Sequence, residues 1–323
     1  MSPWFRIAII GPLLAVFTGT ACAAEGYPLR PIRLVVPFPA GGGADFLARI
    51  IGAKLTEAWG QQVVVDNRPG AAGILGTDIG AKASPDGYTV LLASSNVAIT
   101  EAMEGKRPYN LFRDLTPVIF LATAPNMLVV NPGVKASSVK ELIALAKARP
   151  TPLHFASNGN GSSSHLSAEL FSGVAGIKML HVPYRGGPPG VTATIAGETQ
   201  VMFTAILHVY PHAKAGRLRA LGVTSARRSQ AAPEIPTIAE QGLPGYEAVQ
   251  WWIVMLPAGT AKEIQAKWNG ELIKILQMGD VGQRFSRQGA EPVGSTSAEA
   301  LKYLKGEVAK WSGVTRKLGL RLQ

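Results

Sequence analysis

The chain has almost no cysteine. Cys22 is the single cysteine in 323 residues, and it lies in a segment that reads as removable, so disulfides and thiol chemistry are excluded from the working protein. Charge is scarce as well, 16% against 47% apolar residues, which excludes a disordered chain and leaves enough apolar side chain for sizeable cores. Long hydrophobic runs are missing. Ile7 to Phe17 spans eleven residues, too few to cross a bilayer, and the stretch Leu115 to Val130 is broken by Pro117, Pro125 and Asn126. The 36 Gly and 23 Pro exclude long uninterrupted helices, and with them coiled coils and all-helical bundles. No repeat with a period of about 20–50 residues is visible, and the length fits about two domains.

Most catalytic and cofactor motifs are also missing. A dinucleotide fingerprint starting at Gly41 needs glycine where Phe46 stands. No lysine accompanies Ser162–Ser164 to make a phosphate loop, and Gly161-Ser-Ser-Ser-His165 ends in histidine where a nucleophile elbow needs glycine. His208 and His212 are spaced like zinc ligands, but Pro211 separates them and the glutamate of a zinc-protease helix is absent. No metal site and no cofactor is therefore expected. The formal charge of +11 comes from 32 Lys and Arg against 21 Asp and Glu. These are spread along the chain, without the clustered basic stripe that nucleic acid requires, so the excess is read as a surface that attracts small anions.

The first residues read as an export signal. Arg6 supplies the charge, Ile7–Phe17 the apolar run, and Ala21-Cys22-Ala23 the small-x-small cleavage pattern. Gly19 stands where a lipid-attachment motif wants leucine, so simple secretion is expected. Cleavage after Ala23 leaves 300 residues (323 − 23) with a formal charge of +10. A soluble periplasmic protein is expected.

Downstream, strand and helix patterns alternate. Arg33–Phe38, Val63–Val65 and Thr89–Ala93 are β-branched runs. Phe46, Leu47, Ile50, Ile51 and Leu55 recur at helical spacing, and Ile74–Ala83 is a further helix. Leu115–Val130 is a long extended connection into a second unit. There Ser138-Val-Lys-Glu141 is a capping box, Leu153–Ala156 a strand, and Leu166, Leu170, Phe171 and Val174 one helix face. Met179–Val182, Val201–Thr204 and Leu218–Thr224 are further strands. The tail returns to helices with faces Ile264-Trp268-Leu272-Leu276 and Leu301-Leu304-Val308-Trp311. Such alternation predicts an α/β protein of parallel sheets with helices on both faces, in two hinged lobes with a cleft at the strand carboxyl ends.

Two strand-to-helix loops carry the chemistry. Pro37-Phe38-Pro39-Ala40-Gly41-Gly42-Gly43 lets backbone N–H groups turn toward a ligand at a helix start, which suits an anion. Asp45 reads as a cap of that helix. Ser157-Asn158-Gly159-Asn160-Gly161-Ser162-Ser163-Ser164 offers backbone donors and hydroxyls, all neutral. Facing each other, the two would hold a small molecule with carboxylates at both ends without a buried ion pair, whose desolvation is expensive. A second reading is a secreted serine hydrolase using Ser162 or Ser163 with His165, and a third is a sensor for a signalling partner.

The run Tyr27-Pro-x-Arg-Pro-Ile-Arg-x-Val-Val-Pro-Phe38, followed by Ala40-Gly-Gly-Gly-x-Asp45, resembles the substrate-binding proteins of tripartite tricarboxylate transporters. So do Val65-Asp-Asn-Arg-Pro-Gly70, Ser84-Pro-Asp-Gly-Tyr88, Leu128-Val-Val-Asn-Pro132 and Gly159-x-Gly-Ser-x-x-His-Leu166. His181-Val-Pro-Tyr184, Gly216-Arg-Leu-Arg-Ala-Leu221, Glu234-Ile-Pro-Thr237 and Pro257-Ala-Gly-Thr260 extend the likeness over nearly all of the mature chain.

The resemblance implies a two-lobed type II periplasmic binding fold, each lobe a sheet flanked by helices, with the ligand cleft between them. Residues 1–23 would be the signal, 24–125 plus 225–323 the first lobe and 126–224 the second. It implies a monomeric receptor, not an enzyme, that delivers a small carboxylate to membrane permease subunits. The implied ligand contacts are Phe38, Ala40, Gly41, Gly42, Gly43, Asp45, Ser94, Ser95, Asn96, Ser157, Asn158, Gly161, Ser162, Ser163, Tyr184, Gly186 and Thr204. Tyr184 can give a ring face and a hydroxyl, while Arg185 is expected to face outward. Two departures stand out. Thr204 follows Met202-Phe203 where the family often has aspartate, which disfavours ligands with an amine. Pro39 stands where alanine is common, which stiffens the first loop.

Overall fold

The computed structural model describes residues 26–317, 319 and 322, so the export signal expected at residues 1–23 lies outside the described residues. The chain begins with β1 (Ile32–Val36), α1 (Gly43–Trp59), β2 (Val63–Asn67) and α2 (Ile74–Ala81). It continues through β3 (Thr89–Ser94), α3 (Asn96–Ala102), α4 (Leu111–Asp114) and β4 (Leu115–Val130). The next elements are α5 (Val139–Ala148), β5 (Leu153–Ser157), α6 (Ser163–Ala175), β6 (Met179–Pro183) and α7 (Gly187–Ala196). Then come β7 (Val201–Ala205), α8 (Ile206–Lys214), β8 (Arg219–Val223) and β9 (Val249–Pro257). The tail holds α9 (Lys262–Leu276), α10 (Gly279–Ser286), β10 (Glu291–Pro292) and α11 (Ser297–Lys317).

Helix ends fall where local chemistry puts them. Gly60 (φ 65) and Gly176 (φ 63) take the left-handed conformation that closes α1 and α6. Before α11, Thr296 and Glu299 satisfy each other's backbone N–H, at 3.2 and 2.8 Å. At α5, Ser138 caps Glu141 N, but the Glu141 carboxylate reaches one residue further back, to Ser137 N at 2.8 Å. Among the described residues no helix is long and apolar enough to cross a membrane.

The sheet order is β2-β1-β3-β9-β4-β7-β5-β6, with β8 and β10 also on β4. The outer strands β2, β1 and β3 are parallel, as are β6, β5 and β7. The centre is not. β4 runs antiparallel to β9 along its first half and antiparallel to β7 and β8 along its second. The expected purely parallel sheets are thus a mixed sheet, and the expected connection Leu115–Val130 is its longest strand. Pro117 is accommodated by a shift of register before Ile119, the usual place for proline in a strand. β9 carries no alternating pattern, because its residues are buried on both faces.

Helices cover both faces of this sheet. Trp268 of α9 and Leu47 and Ile51 of α1 pack on one side, and Trp251, Phe171 and Trp311 on the other. Of the predicted helix faces, Ile264-Trp268-Leu272-Leu276 is buried throughout, whereas Val174 at the end of α6 is exposed. A buried carboxylate ties α11 to the sheet. Glu307 accepts from Trp251 Nε1 at 2.8 Å and Trp311 Nε1 at 3.1 Å, and pairs with Lys310. Glu307→Ala leaves both indole N–H groups buried without an acceptor. It is expected to lower stability by about 2–4 kcal/mol, with a smaller loss for Glu307→Gln, both read by urea unfolding. A loss under about 0.5 kcal/mol for Glu307→Ala would show that the tie does not matter.

Candidate functional site

The register along β4 locates the site. Ser94, the last residue of β3, pairs with Trp252, and Trp252 pairs with Ala122 of β4. Ala205, the last residue of β7, pairs with Asn126 of the same strand. β3 runs parallel to β4, through the antiparallel β9 between them, while β7 runs against it. The carboxyl ends of the two parallel halves therefore point at each other across Ala122–Asn126, about four residue steps or roughly 13 Å of strand. The loops after β1 and β3 open onto one side of this gap and those after β5, β6 and β7 onto the other. Every residue singled out from the sequence lies at one of these strand ends.

On the first side, Ala40–Gly43 form an exposed turn that leads into α1, with Gly41 in the left-handed region (φ 83). Helix α1 has no side-chain cap at Gly42. Asp45 lies three residues into the turn, only 4% exposed. Its carboxylate accepts from Gly41 N at 2.9 Å and is paired with Arg49; these partners hold its pKa below the usual range against the opposing effect of burial. Asp45 is therefore a loop fastener with its charge already matched. Phe38 is half-buried, its carbonyl taken by Asn67 Nδ2 at 3.0 Å. Ser94 and Ser95 are buried and their hydroxyls have no partner, and Asn96 opens α3. Beside Phe38, Ala71 (φ 47) and Ala72 (φ 54) are both left-handed, a strained pair of the kind that collects at functional sites.

On the other side, Ser162 caps α6 through His165 N, Ser163 opens the helix, and Gly161 (φ 71) donates to His165 Nδ1 at 3.1 Å. Asn158 Oδ1 accepts from the Thr204 hydroxyl at 3.2 Å, and His208 Nδ1 lies 3.4 Å from the same hydroxyl. Gly187 is packed so closely on His208 that a Cβ there would stand 2.6 Å from Nδ1. Tyr184 N donates to Ser157 O at 3.1 Å and Gly186 N to Asn158 O at 3.3 Å, so the β6 loop is tied to the β5 loop. Arg185 is exposed. Ser157 is fully buried. Its hydroxyl contacts His181 Nε2 at 2.6 Å and Gly159 N at 3.1 Å, so it shapes the loop from beneath.

Under this loop three rings are stacked. Phe155 lies 4.9 Å from His181, and His181 lies 3.9 Å from His165, all close to parallel. Burial and the neighbouring His181 pull the His165 pKa down to about 4, and burial lowers that of His181 as well. Both imidazoles are neutral supports. Ser162 and His165, a pair considered for a hydrolase, are turned to other partners: Ser162 Oγ donates to Gly159 O at 2.7 Å, and His165 faces Gly161 N and Glu169. Among the described residues no cluster of His, Cys, Asp and Glu could hold a metal ion.

The sequence reading missed Trp252, His208, and Ala122–Asn126 where β4 crosses the gap. Trp252 and the β4 crossing enter the site through pairing with distant strands, and His208 enters through its contact with Thr204 four residues earlier.

Comparison with known proteins shows the family to which this chain is similar. The family profile described as "Tripartite tricarboxylate transporter family receptor" matches residues 47–320. Protein BugT of Bordetella pertussis is 39% identical over 321 residues, covering 98% of each chain. Among solved structures, R. palustris Rpa4515 with adipate is 35% identical with a TM-score of 0.75, covering 91% of this chain and 99% of that one. MatC from Rhodopseudomonas palustris with bound malate is 28% identical with a TM-score of 0.72, covering 89% and 99%.

The stacked imidazoles set a pH dependence. His165 titrates near 6.5 when unfolded and near 4 when folded, so between these values the unfolded chain holds more protons. Stability contributed by the neutral stack is present above about pH 6.5 and is lost as pH falls toward about 4. His165→Asn, whose Oδ1 can still accept from Gly161 N, is expected to flatten this acid-side slope in unfolding experiments between pH 4 and 7. An unchanged slope would assign it to other groups.

Proposed function

Because the chain belongs to the tripartite tricarboxylate transporter receptor family, we propose that it is a periplasmic receptor. It captures a small carboxylate between its two lobes and presents it, as a monomer, to the permease subunits of a membrane transporter. The observation that carries this reading is the pair of opposed strand ends, each edged with backbone N–H groups and hydroxyls and with no unmatched charged side chain turned in. Asp45 is matched by Arg49 and Arg185 faces solvent. Such walls suit an anion with an acceptor group at each end, and the adipate and malate held by its relatives are acids of that kind.

The ligand contacts proposed are those at the strand ends: the turn Ala40–Gly43, Ser94–Asn96, Asn158 to Ser163, Tyr184, Gly186 and Thr204. Residues 24–125 with 225–323 would form one lobe and 126–224 the other, closing by a hinge whose equilibrium follows the ligand's preference for the closed form. Thr204 supports a ligand without an amine. Its hydroxyl is engaged by Asn158 and faces His208, which burial keeps neutral, so no carboxylate at this position awaits an ammonium group.

The test is thermal unfolding of the exported protein, refolded free of ligand, against straight-chain dicarboxylates, hydroxy acids, aromatic acids and amino acids. An acid at 100 times its Kd should raise Tm by roughly 5–10 °C, and amino acids of matching length should do less. A panel in which no acid gives a shift, or in which an amino acid gives the largest, would overturn the reading.

A further inference from the structure

Among the buried polar atoms at the first wall without a hydrogen-bond partner, which include Ser95 Oγ, two stand out: Trp252 Nε1 and Ser94 Oγ. Their residues are only 6% and 2% exposed, and buried donors left unmet are rare enough that each calls for a reason. They are neighbours. Ser94 and Trp252 are directly paired between β3 and β9, so their side chains leave the same face of the sheet. That face is the one α1 covers, since Leu92, Val254 and Ala122 share a core with Leu47 and Ile51.

The indole is turned toward the start of α1. A Cβ on Gly43 would stand 3.4 Å from Trp252 Cζ2, and in the indole ring Cζ2 is two bonds from Nε1. The benzo edge next to the N–H therefore lies against the first residue of a helix that has no side-chain cap. The nearest carboxylate of that helix, Asp45, is engaged by Gly41 N and Arg49. What gathers here is a set of donors: an indole N–H, a serine hydroxyl and the opening N–H groups of a 17-residue helix. An ammonium group would find one acceptor in such a set, the serine oxygen, whereas a carboxylate would turn each member into a charge-assisted hydrogen bond.

We infer that Trp252 is a ligand-binding residue of the first lobe, donating its indole N–H, beside the Ser94 hydroxyl, to one carboxylate of the bound acid. This rests on the receptor reading above and deepens it, by assigning a carboxylate end of the ligand to this wall and a donor outside the strand-end loops. Both atoms are sealed from solvent as the exposed turn Pro39–Gly43 now lies, so the turn shifts as the acid seats.

The experiment uses exported protein labelled with 15N at the tryptophan indole nitrogens, titrated with adipate and with malate. Trp252→Phe keeps an aromatic ring and removes the N–H, so it identifies the Trp252 indole signal by its disappearance. On saturation with whichever acid raises Tm, that signal is expected to move, and Trp252→Phe is expected to weaken binding 10–100-fold while the melting temperature without acid changes little. Ser94→Ala, a smaller change, is expected to weaken binding about 3–10-fold, which keeps the test decisive if Trp252→Phe does not fold. A shift in Tm with the Trp252 signal unmoved, or with full affinity in both variants, would overturn the inference and leave the receptor reading standing. If no acid binds the unaltered protein, both fall together.

Discussion

Main-chain hydrogen bonds along β4 hold β9 beside its first half and β7 and β8 beside its second, and the position of every functional loop is transmitted through them. A strand shared by two half-sheets of opposite sense forces their carboxyl ends toward each other. The gap between them is then set by how many residues of β4 lie between the two pairings. Moving β7 by one residue along β4 would change that gap by about 3.3 Å and turn its side chains to the other face. The stretch from Leu115 to Pro125 is held by register to β9 with two irregularities, one of them directly after Pro117. The site is thus a consequence of sheet pairing first and of loop chemistry second.

Within that frame the charges have been kept out of the way. Asp45 is matched by Arg49, Asp66 by Arg33 and Arg68, and His165, His181 and His208 are kept neutral by burial. The formal excess of +11 is then felt by an approaching anion as a long-range field, not as a fixed partner. That division suits a protein that must release what it binds. A buried ion pair must repay a large desolvation cost through near-perfect geometry, and breaking it strands a charge. Neutral donors on helix ends give orientation with a smaller penalty on release.

The legible parts of the fold were those with local signals. The glycine turn before α1, the capping pairs at Ser138 and Thr296, and the Trp268 face of α9 follow from spacing and side-chain chemistry within one turn or strand. The two loops were legible for the same reason: small residues between a β-branched run and a helical period mark a strand-to-helix loop wherever they occur. β9 and the strand character of Leu115–Val130 were not legible, because strands buried on both faces lose the alternation that identifies them. Trp252 was hidden for a further reason. Nothing in Gln250-Trp251-Trp252-Ile253 says which of two adjacent indoles faces the site; the pairing with Ser94 decides it, placing Trp251 on Glu307 and Trp252 under Gly43.

The same pairing bears on the closure proposed for the cleft. Asn126, Thr224 and Ala248 lie side by side: Asn126 N donates to Thr224 Oγ1 at 2.8 Å, Thr224 N to Asn126 O at 2.9 Å, and Ala248 N to Thr224 O at 3.0 Å. Helix α6 backs this row, with Ser167 taking Asn126 Nδ2 at 3.1 Å and its carbonyl taking Tyr246 Oη at 2.9 Å. Segments bonded in a row resist sliding past one another but can bend together, because small changes of φ and ψ spread over neighbouring residues leave each bond intact. A rotation about this row would carry the His165 end of α6 with it, since Ser167 is on the same helix two residues away. The loop Asn158–Ser163, seated on His165 and His181, would move as one piece with that helix. In the proposed closure, the hinge and the second wall of the site would thus move as a single body, and what changes would be the distance from that body to the α1 turn.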